Sequence, residues 1–160
     1  GSCVCVDGFG FMLNDEMDDF TARPGEPNAF GLVQSAANAP QPGNRPLSSM
    51  SPTIVLLNGK AVALAGASGG PRIISATSQV LWHMLHGDDP GTAVRRPRIH
   101  HQWMPNVVRY ESGIGPTFAE MTAIIGHDVE PAEGRLGICQ AIKVTEAGVH
   151  AACDLSLIHI

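Results

Sequence analysis

The pattern of apolar and polar positions changes along the chain, and each change marks an element. Thr53–Leu57 and Ala61–Ala65 are apolar runs on either side of Asn58-Gly59-Lys60. Asn-Gly between two such runs is a strong hairpin signal, because the tight turn needs positive φ at its central residues. Ile73, Ile74, Thr77, Val80, Leu81, Met84 and Leu85 then recur at spacings of three and four, the period of a helix with one apolar face. Pro71 suits the first turn of that helix. Asp89-Pro90 predicts a second, shorter helix with Asp89 as N-cap and Pro90 as first residue. Pro116–Ile125 predicts a third, closed by Gly126 just past its end. Val107–Glu111, Ile138–Val144 and Val149–Cys153 read as strands, the last two joined as a hairpin across Thr145–Gly148. Residues 3–13 read as one or two short strands broken by Asp7-Gly8 and Gly10. Strands, hairpin, helices and strands in that order imply a layered sheet with helices on one face, not a regular βαβ alternation.

Composition narrows the class. Among 160 residues, 44% are hydrophobic and 16% charged, too apolar for a disordered tail. The length predicts one domain with its own core. Ten Lys+Arg stand against 15 Asp+Glu, a net charge of −5, and no basic run occurs; a phosphate-tracking protein would need one, so no nucleic-acid partner is expected. No apolar run approaches the ~18 residues of a membrane span, and the opening Gly1-Ser2-Cys3-Val4-Cys5 lacks the basic and apolar regions of a signal peptide. The four cysteines, Cys3, Cys5, Cys139 and Cys153, show no zinc spacing. Cys3 and Cys5, at period two on one strand face, read as small buried apolar residues. Neither a metal nor a cofactor is expected. The 18 Gly and 12 Pro point instead to many turns and to loops with work to do, above all the irregular residues 21–46.

Four groups of residues could carry chemistry. Asp15, Glu16, Asp18 and Asp19 are crowded together; such a cluster repels itself unless a cation is near. It could hold an ammonium group or a hard metal, although an EF-hand fails for want of its Gly and distal Glu. The alternative is a solvated helix start favoured by the dipole. Arg45-Pro46-Leu47-Ser48-Ser49-Met50-Ser51-Pro52 places three hydroxyls in a loop, suited to a carboxylate or simply to local hydrogen bonds. Gly66-Ala67-Ser68-Gly69-Gly70-Pro71 joins a strand to a helix, and unpaired N–H groups at a helix start are the physics of an oxyanion hole. The same stretch fits the Gly-x-Ser-x-Gly elbow of a serine hydrolase with Ser68 as nucleophile, and Asp128 and His150 follow in the required order. His83 and His86, and the adjacent His100 and His101, lack a third ligand in spacing and read as structural.

Taken in order, these segments resemble the small subunit of the gamma-glutamyltranspeptidases (glutathione hydrolases). The resemblance rests on Leu13–Phe20, Pro24–Val33, Arg45–Thr53, Gly66–Ile73 and Pro97–Trp103. It implies an α+β fold, the αββα sandwich of N-terminal-nucleophile hydrolases, built jointly with a large subunit released from the same precursor by autoproteolysis. It implies attack by an N-terminal Thr on the gamma-glutamyl amide of glutathione or another gamma-glutamyl compound. The resulting ester then passes to water or to an acceptor amino acid or peptide. Glu16 and Asp19 would bind the donor's ammonium, Ser48 and Ser49 its carboxylate, and Gly69 and Gly70 would supply the oxyanion hole. Pro24–Ser35 would correspond to a lid.

The resemblance also sets expectations about departures. Residues 1–154 correspond to the small-subunit part, while 155–160, Leu-Ser-Leu-Ile-His-Ile, break the family pattern and read as non-native. The chain opens at Gly1-Ser2, downstream of the family's Thr, so by itself it is expected to be inactive. Ser68 stands where many members carry Pro, and Phe30 where many carry Tyr. A cephalosporin or glutaryl acylase shares the fold, but the acidic and Ser-Ser segments favour a glutamyl group. Members of the family are periplasmic, secreted or at the cell surface.

Overall fold

The chain forms two compact units, Gly1–Ser48 and Ser49–Ile160, and the computed structural model describes residues 2–154. In the first unit the expected strands over residues 3–13 do not form. A single bridge joins Cys5 to Met12, and both Cys3 and Cys5 are exposed rather than buried. Residues 4–6 and 11–13 do pair, Leu13 N donating to Val4 O at 2.8 Å and Val6 N to Phe11 O at 3.0 Å, but Phe9, Phe11, Met12 and Leu13 are exposed, so alternation alone does not bury this short ribbon. The unit is held by side chains instead. Asn38 donates through Nδ2 to the carbonyl of Asp19 and to Oε1 of Gln34, both at 2.7 Å, and accepts from Leu47 N at 3.0 Å. Thr21, buried, donates its backbone N–H to Asn38 O. One asparagine thereby ties residues 19–21 and Leu47 to its own segment.

The second unit carries the regular structure. β1 (Thr53–Leu57) and β2 (Lys60–Ser68) form the expected hairpin. Asn58 and Gly59 have φ of 51° and 78°, the left-handed pair that a type I′ turn requires. α1 (Arg72–Leu85) and α2 (Pro90–Arg95) follow. Asp89 caps α2 as expected, accepting from Thr92 N at 3.0 Å and from its hydroxyl at 2.6 Å. Next come β3 (Ile99–His100), β4 (Val108–Tyr110), α3 (Pro116–Ile124), β5 (Val129–Pro131), β6 (Ile138–Thr145) and β7 (Gly148–Cys153). β1-β2-β6-β7 make one antiparallel sheet, and β3-β4-β5 make a small mixed sheet. The latter is longer than the single strand expected there, because two- and three-residue strands leave no readable period.

Within this unit, among the described residues, the helices cover one face of the larger sheet. Ala63, Ala65, Cys139 and Ala141 point to α1 and α2 and pack on Ala76, Val80, Leu81, Met84, Ala93 and Val94. Small alanines on the sheet let the helices approach closely, while the larger helical side chains fill the layer. Lys143 fixes the far end of α1 by donating to Met84 O and Asp88 O, both at 2.8 Å. The opposite face carries the cross-strand row Ile54, Leu64, Ile142 and Ala151. It lines an open apolar trough of about 840 Å³, and Ile54 is 61% exposed. Among the described residues no helix is long and apolar enough to cross a membrane.

Both sheets and α2 meet at a quartet of charges, three of them buried and Arg135 partly exposed. Arg98 lies just before β3, Glu111 just after β4, Arg135 before β6 and Asp154 after β7. Arg98 donates to Glu111 at 3.2 Å and to Asp154 at 2.5 Å; Arg135 donates to the same two carboxylates at 2.5 and 3.3 Å. Arg135 also reaches Val94 O of α2. Arg98 is 1% exposed and Glu111 2%. Burial works against the Arg98 charge, but Asp154 and Glu111 outweigh it, and its pKa is raised.

Two outcomes follow from this architecture. The isolated chain should self-associate through the open apolar face, and Ile142→Glu should lower its apparent mass in light scattering; an unchanged mass would show that another surface is responsible. In that monomeric background, Glu111→Ala strands two arginines and should cost about 3–5 kcal/mol in urea unfolding. A loss under about 1 kcal/mol would mean that solvent reaches the quartet.

Candidate functional site

The candidate chemistry of the second unit centres on the turn between β2 and α1. Gly69 and Gly70 have φ of 133° and 58°, values that side chains resist and glycine accepts. Their carbonyls start the helix: Gly69 O accepts from Arg72 N at 3.3 Å and Gly70 O from Ile73 N at 3.0 Å. No partner among the described residues takes the N–H of either glycine. Two donors therefore stand free at the positive end of a 14-residue helix with no acidic residue in its first turn. Such a place favours a negative oxygen. Ser49 reaches the same turn, donating its hydroxyl to Gly70 O at 2.9 Å. Ser48, its neighbour in sequence, is exposed.

The elbow reading of Ser68 does not survive the sheet register. Ser68 is the last residue of β2 and lies opposite Ile138 on β6, whereas His150 on β7 lies opposite Lys143. Five residues of extended strand separate those rungs, about 16 Å at 3.3 Å per residue. A general base that far away cannot take the Ser68 proton.

In the first unit, the acids form a single 3-10 turn, Glu16–Asp19, with Asp15 at its N-cap. Asn14 starts it by accepting from Glu16 N at 3.1 Å. Glu16 is exposed and Asp19 half-buried, and neither carboxylate has an ion-pair partner among the described residues. The backbone of Asp19 is nonetheless fixed, through its carbonyl, by Asn38. A cavity of about 240 Å³ beside this turn is lined by Asp18, Phe20, Arg23, Glu26 and Asn28, not by Glu16 or Asp19. Residues 24–35, the expected lid, have their own order. Asn28 Oδ1 accepts from Phe30 N and Leu32 N, both at 3.0 Å, and Pro27 bridges to Val33.

The histidines separate as alternation on an extended segment requires. His100 is buried, with Nδ1 2.7 Å from Ser75 Oγ and Nε2 2.8 Å from Gln102 Oε1; His101 is exposed. The Gln102 carbonyl oxygen can only accept, so neutral His100 carries its proton on Nε2, and its Nδ1 accepts a hydrogen bond from the Ser75 hydroxyl, which also lies 3.1 Å from Arg72 O. Burial, with the charges of Arg72 and Arg109 added, lowers the His100 pKa. Gln79 secures the preceding residue, accepting from Ile99 N at 3.0 Å and donating to Ile99 O at 2.8 Å. The Arg98–Gln102 segment is thus clamped to α1. Among the described residues, no three His, Cys, Asp or Glu side chains converge to hold a metal ion.

An antiparallel sheet with helices on one face, an apolar second face and a free-amide turn at the head of the main helix is the α+β fold class of the N-terminal-nucleophile hydrolases. The family model described as gamma-glutamyltranspeptidase matches residues 1–157, and the chain belongs to that family. The glutathione hydrolase proenzyme of Pseudomonas aeruginosa is 44% identical over 158 residues, covering 96% of this chain and 28% of the relative. That of Escherichia coli is 41% identical over 156 residues, covering 96% and 27%. The chain therefore spans about a quarter of the length of these curated relatives. A solved Helicobacter pylori gamma-glutamyltranspeptidase mutant superposes with a TM-score of 0.87 at 39% identity, covering 96% of this chain and 86% of that one.

The site residues that sequence patterns miss are those whose partners are remote. Gln79, Glu111 and Gly137 carry no local motif, and only the isolated glycine ahead of an apolar run hints at a close backbone approach.

The His100 environment sets a pH dependence. Its folded pKa lies below the unfolded value of about 6.5, so the unfolded chain takes the proton first and stability falls as pH drops below that value. His83, lowered by burial and by Arg96, acts with the same sign. In Ile142→Glu protein, Tm should fall from pH 7 to pH 5, and His100→Asn should shrink that slope. An unchanged slope would show that His100 protonates freely in the fold.

Proposed function

We propose that this chain is the small-subunit part of an enzyme that cleaves the gamma-glutamyl amide bond of glutathione and related donors. In this reading the nucleophile is an N-terminal Thr of the full precursor, which also supplies the large subunit, and turnover belongs to that assembled precursor. The observation that carries the proposal is the Gly69-Gly70 turn, with two free amides on a helix start and Ser49 bonded to it, in a chain of this family.

Each assigned residue has a physical task. Attack of the Thr hydroxyl on the gamma-carbonyl turns its oxygen negative, and the Gly69 and Gly70 amides stabilise that charge where it develops. The amine leaves, a gamma-glutamyl ester remains, and water or an acceptor amino acid or peptide resolves it. Glu16 and Asp19 accept hydrogen bonds from the donor's ammonium. The Ser48 hydroxyl donates to its carboxylate, and the Ser49 hydroxyl does so by turning from Gly70 O, its acceptor in the free chain, to the substrate. The gamma-glutamyl end is thereby read by its two charges, and the remainder of the substrate is left free to vary. The apolar face around Ile54, Leu64 and Ile142 is the seam on which the large subunit completes the sandwich.

The test is made in the full precursor with a chromogenic gamma-glutamyl anilide. Asp19→Ala removes a charge-assisted hydrogen bond made to the ground state and the transition state alike. KM should rise about 10–100-fold, with kcat changed less than about threefold. Unchanged KM would remove Asp19 from the donor site.

A further inference from the structure

We propose that Gly137, anchored by Glu111, is a positioning residue that sets the aim of the Gly69 and Gly70 amides. This rests on the reading of those amides as oxyanion donors. Gly137 lies in the segment between β5 and β6, 68 residues from Gly69 in sequence, yet the two backbones touch. A methyl group placed on Gly69 would lie 3.0 Å from the Gly137 α-carbon. One placed on Gly137 would lie 3.3 Å from Ser68 O, 3.6 Å from Arg72 O and 3.0 Å from the Ala76 methyl. Those neighbours are the residue before the turn, the first residue of α1 and the next turn of that helix. Gly137 therefore seats against both ends of the Gly69-Gly70 turn at once.

Its own position is fixed on both sides. Leu136 N donates to Glu111 Oε1 at 2.5 Å, and Arg135 Nη1 donates to Glu111 Oε2 at 2.5 Å. On the other side, Ile138 enters the ladder opposite Ser68. Gly137 has φ +90°, so any L side chain there is strained as well as crowded. The contact is backbone on backbone, with no rotamer to absorb a displacement. Oxyanion donors work within 2.7–3.1 Å of the developing charge, and a small misplacement costs rate more than binding. The quartet's carboxylate, Glu111, thus fixes where the turn's amides point.

The experiment uses the full precursor, with rates counted per processed enzyme. Gly137→Ala should lower kcat about 10–100-fold while KM for the gamma-glutamyl anilide stays within about threefold. The inhibition constant of norvaline, which keeps the donor's ammonium and carboxylate but has no side-chain oxygen for the amides to meet, should not move. Gly137→Ala/Ala76→Gly removes the methyl that the new side chain meets but keeps the crowding on Ser68 O and Arg72 O. It should fold more readily and still show the kcat loss. A processed, folded variant with unchanged kcat would overturn the proposal. So would a norvaline inhibition constant that weakens in step with kcat, or both variants melting below the assay temperature, since Gly137 would then serve the fold alone. If the unmodified precursor fails to turn over the anilide, the functional reading itself falls, and this inference with it.

Discussion

Moving three charges out of water, and a fourth partly so, is costly, and Arg98, Glu111, Asp154 and the half-buried Arg135 offset that cost only as a set. Two arginines and two carboxylates sum to zero, and each carboxylate meets both guanidinium groups. Glu111 also accepts from the backbone N–H of Arg98 and of Leu136. Removing any one member leaves the remaining charges out of balance, at least one of them buried, which is why such networks are unforgiving. Their contribution here is less to total stability than to place. The four residues stand at the ends of four strands from two sheets, and only one arrangement of those strand ends brings the charges together.

That constraint explains how the second unit, with a small apolar core, keeps its two sheets in place. The layer between sheet and helices is built from alanines, a cysteine, two valines, a leucine and a methionine, a thin core for the length. Half of the sheet's apolar surface faces outward. A sheet that is hydrophobic on both faces belongs in the middle of a layered structure, not at its edge. The quartet lies at the strand ends and not on the open face, so the ends stay in register whatever covers the trough.

What the sequence discloses follows the range of each interaction. The Asn58-Gly59 hairpin, the α1 stripe, the Asp89 cap and the Gly126 stop are local, and each is found where the pattern puts it. The glycine turn is legible for the same reason, since strand, glycines and helix are consecutive. The quartet is not, because Arg98 and Asp154 are 56 residues apart, and a lone Arg or Asp in sequence looks like solvated surface. The bond from Ser49 to Gly70 spans 21 residues; the pattern offers Ser49 as a hydroxyl but not its attachment to the turn. Cys3 and Cys5 fail in the opposite direction. Their alternation is that of a buried strand, but burial depends on a covering partner that period two alone does not supply.

The candidate site therefore combines two kinds of information. Its donors are backbone amides at a helix start, which any strand–Gly-Gly–helix sequence could offer. Their direction is set by contacts that only the tertiary structure provides: Gly137 against both ends of the turn, Ser49 on the Gly70 carbonyl, and the His100 segment clamped to α1 through Ser75 and Gln79. Backbone donors have no rotamers, so they can be aimed only by moving the chain that carries them. A site built from them must be supported by groups that are themselves immovable, and a fully matched buried ion network meets that requirement better than apolar packing, which yields by small shifts. The expense of burying Glu111 is in this view the counterpart of a turn whose amides must not drift.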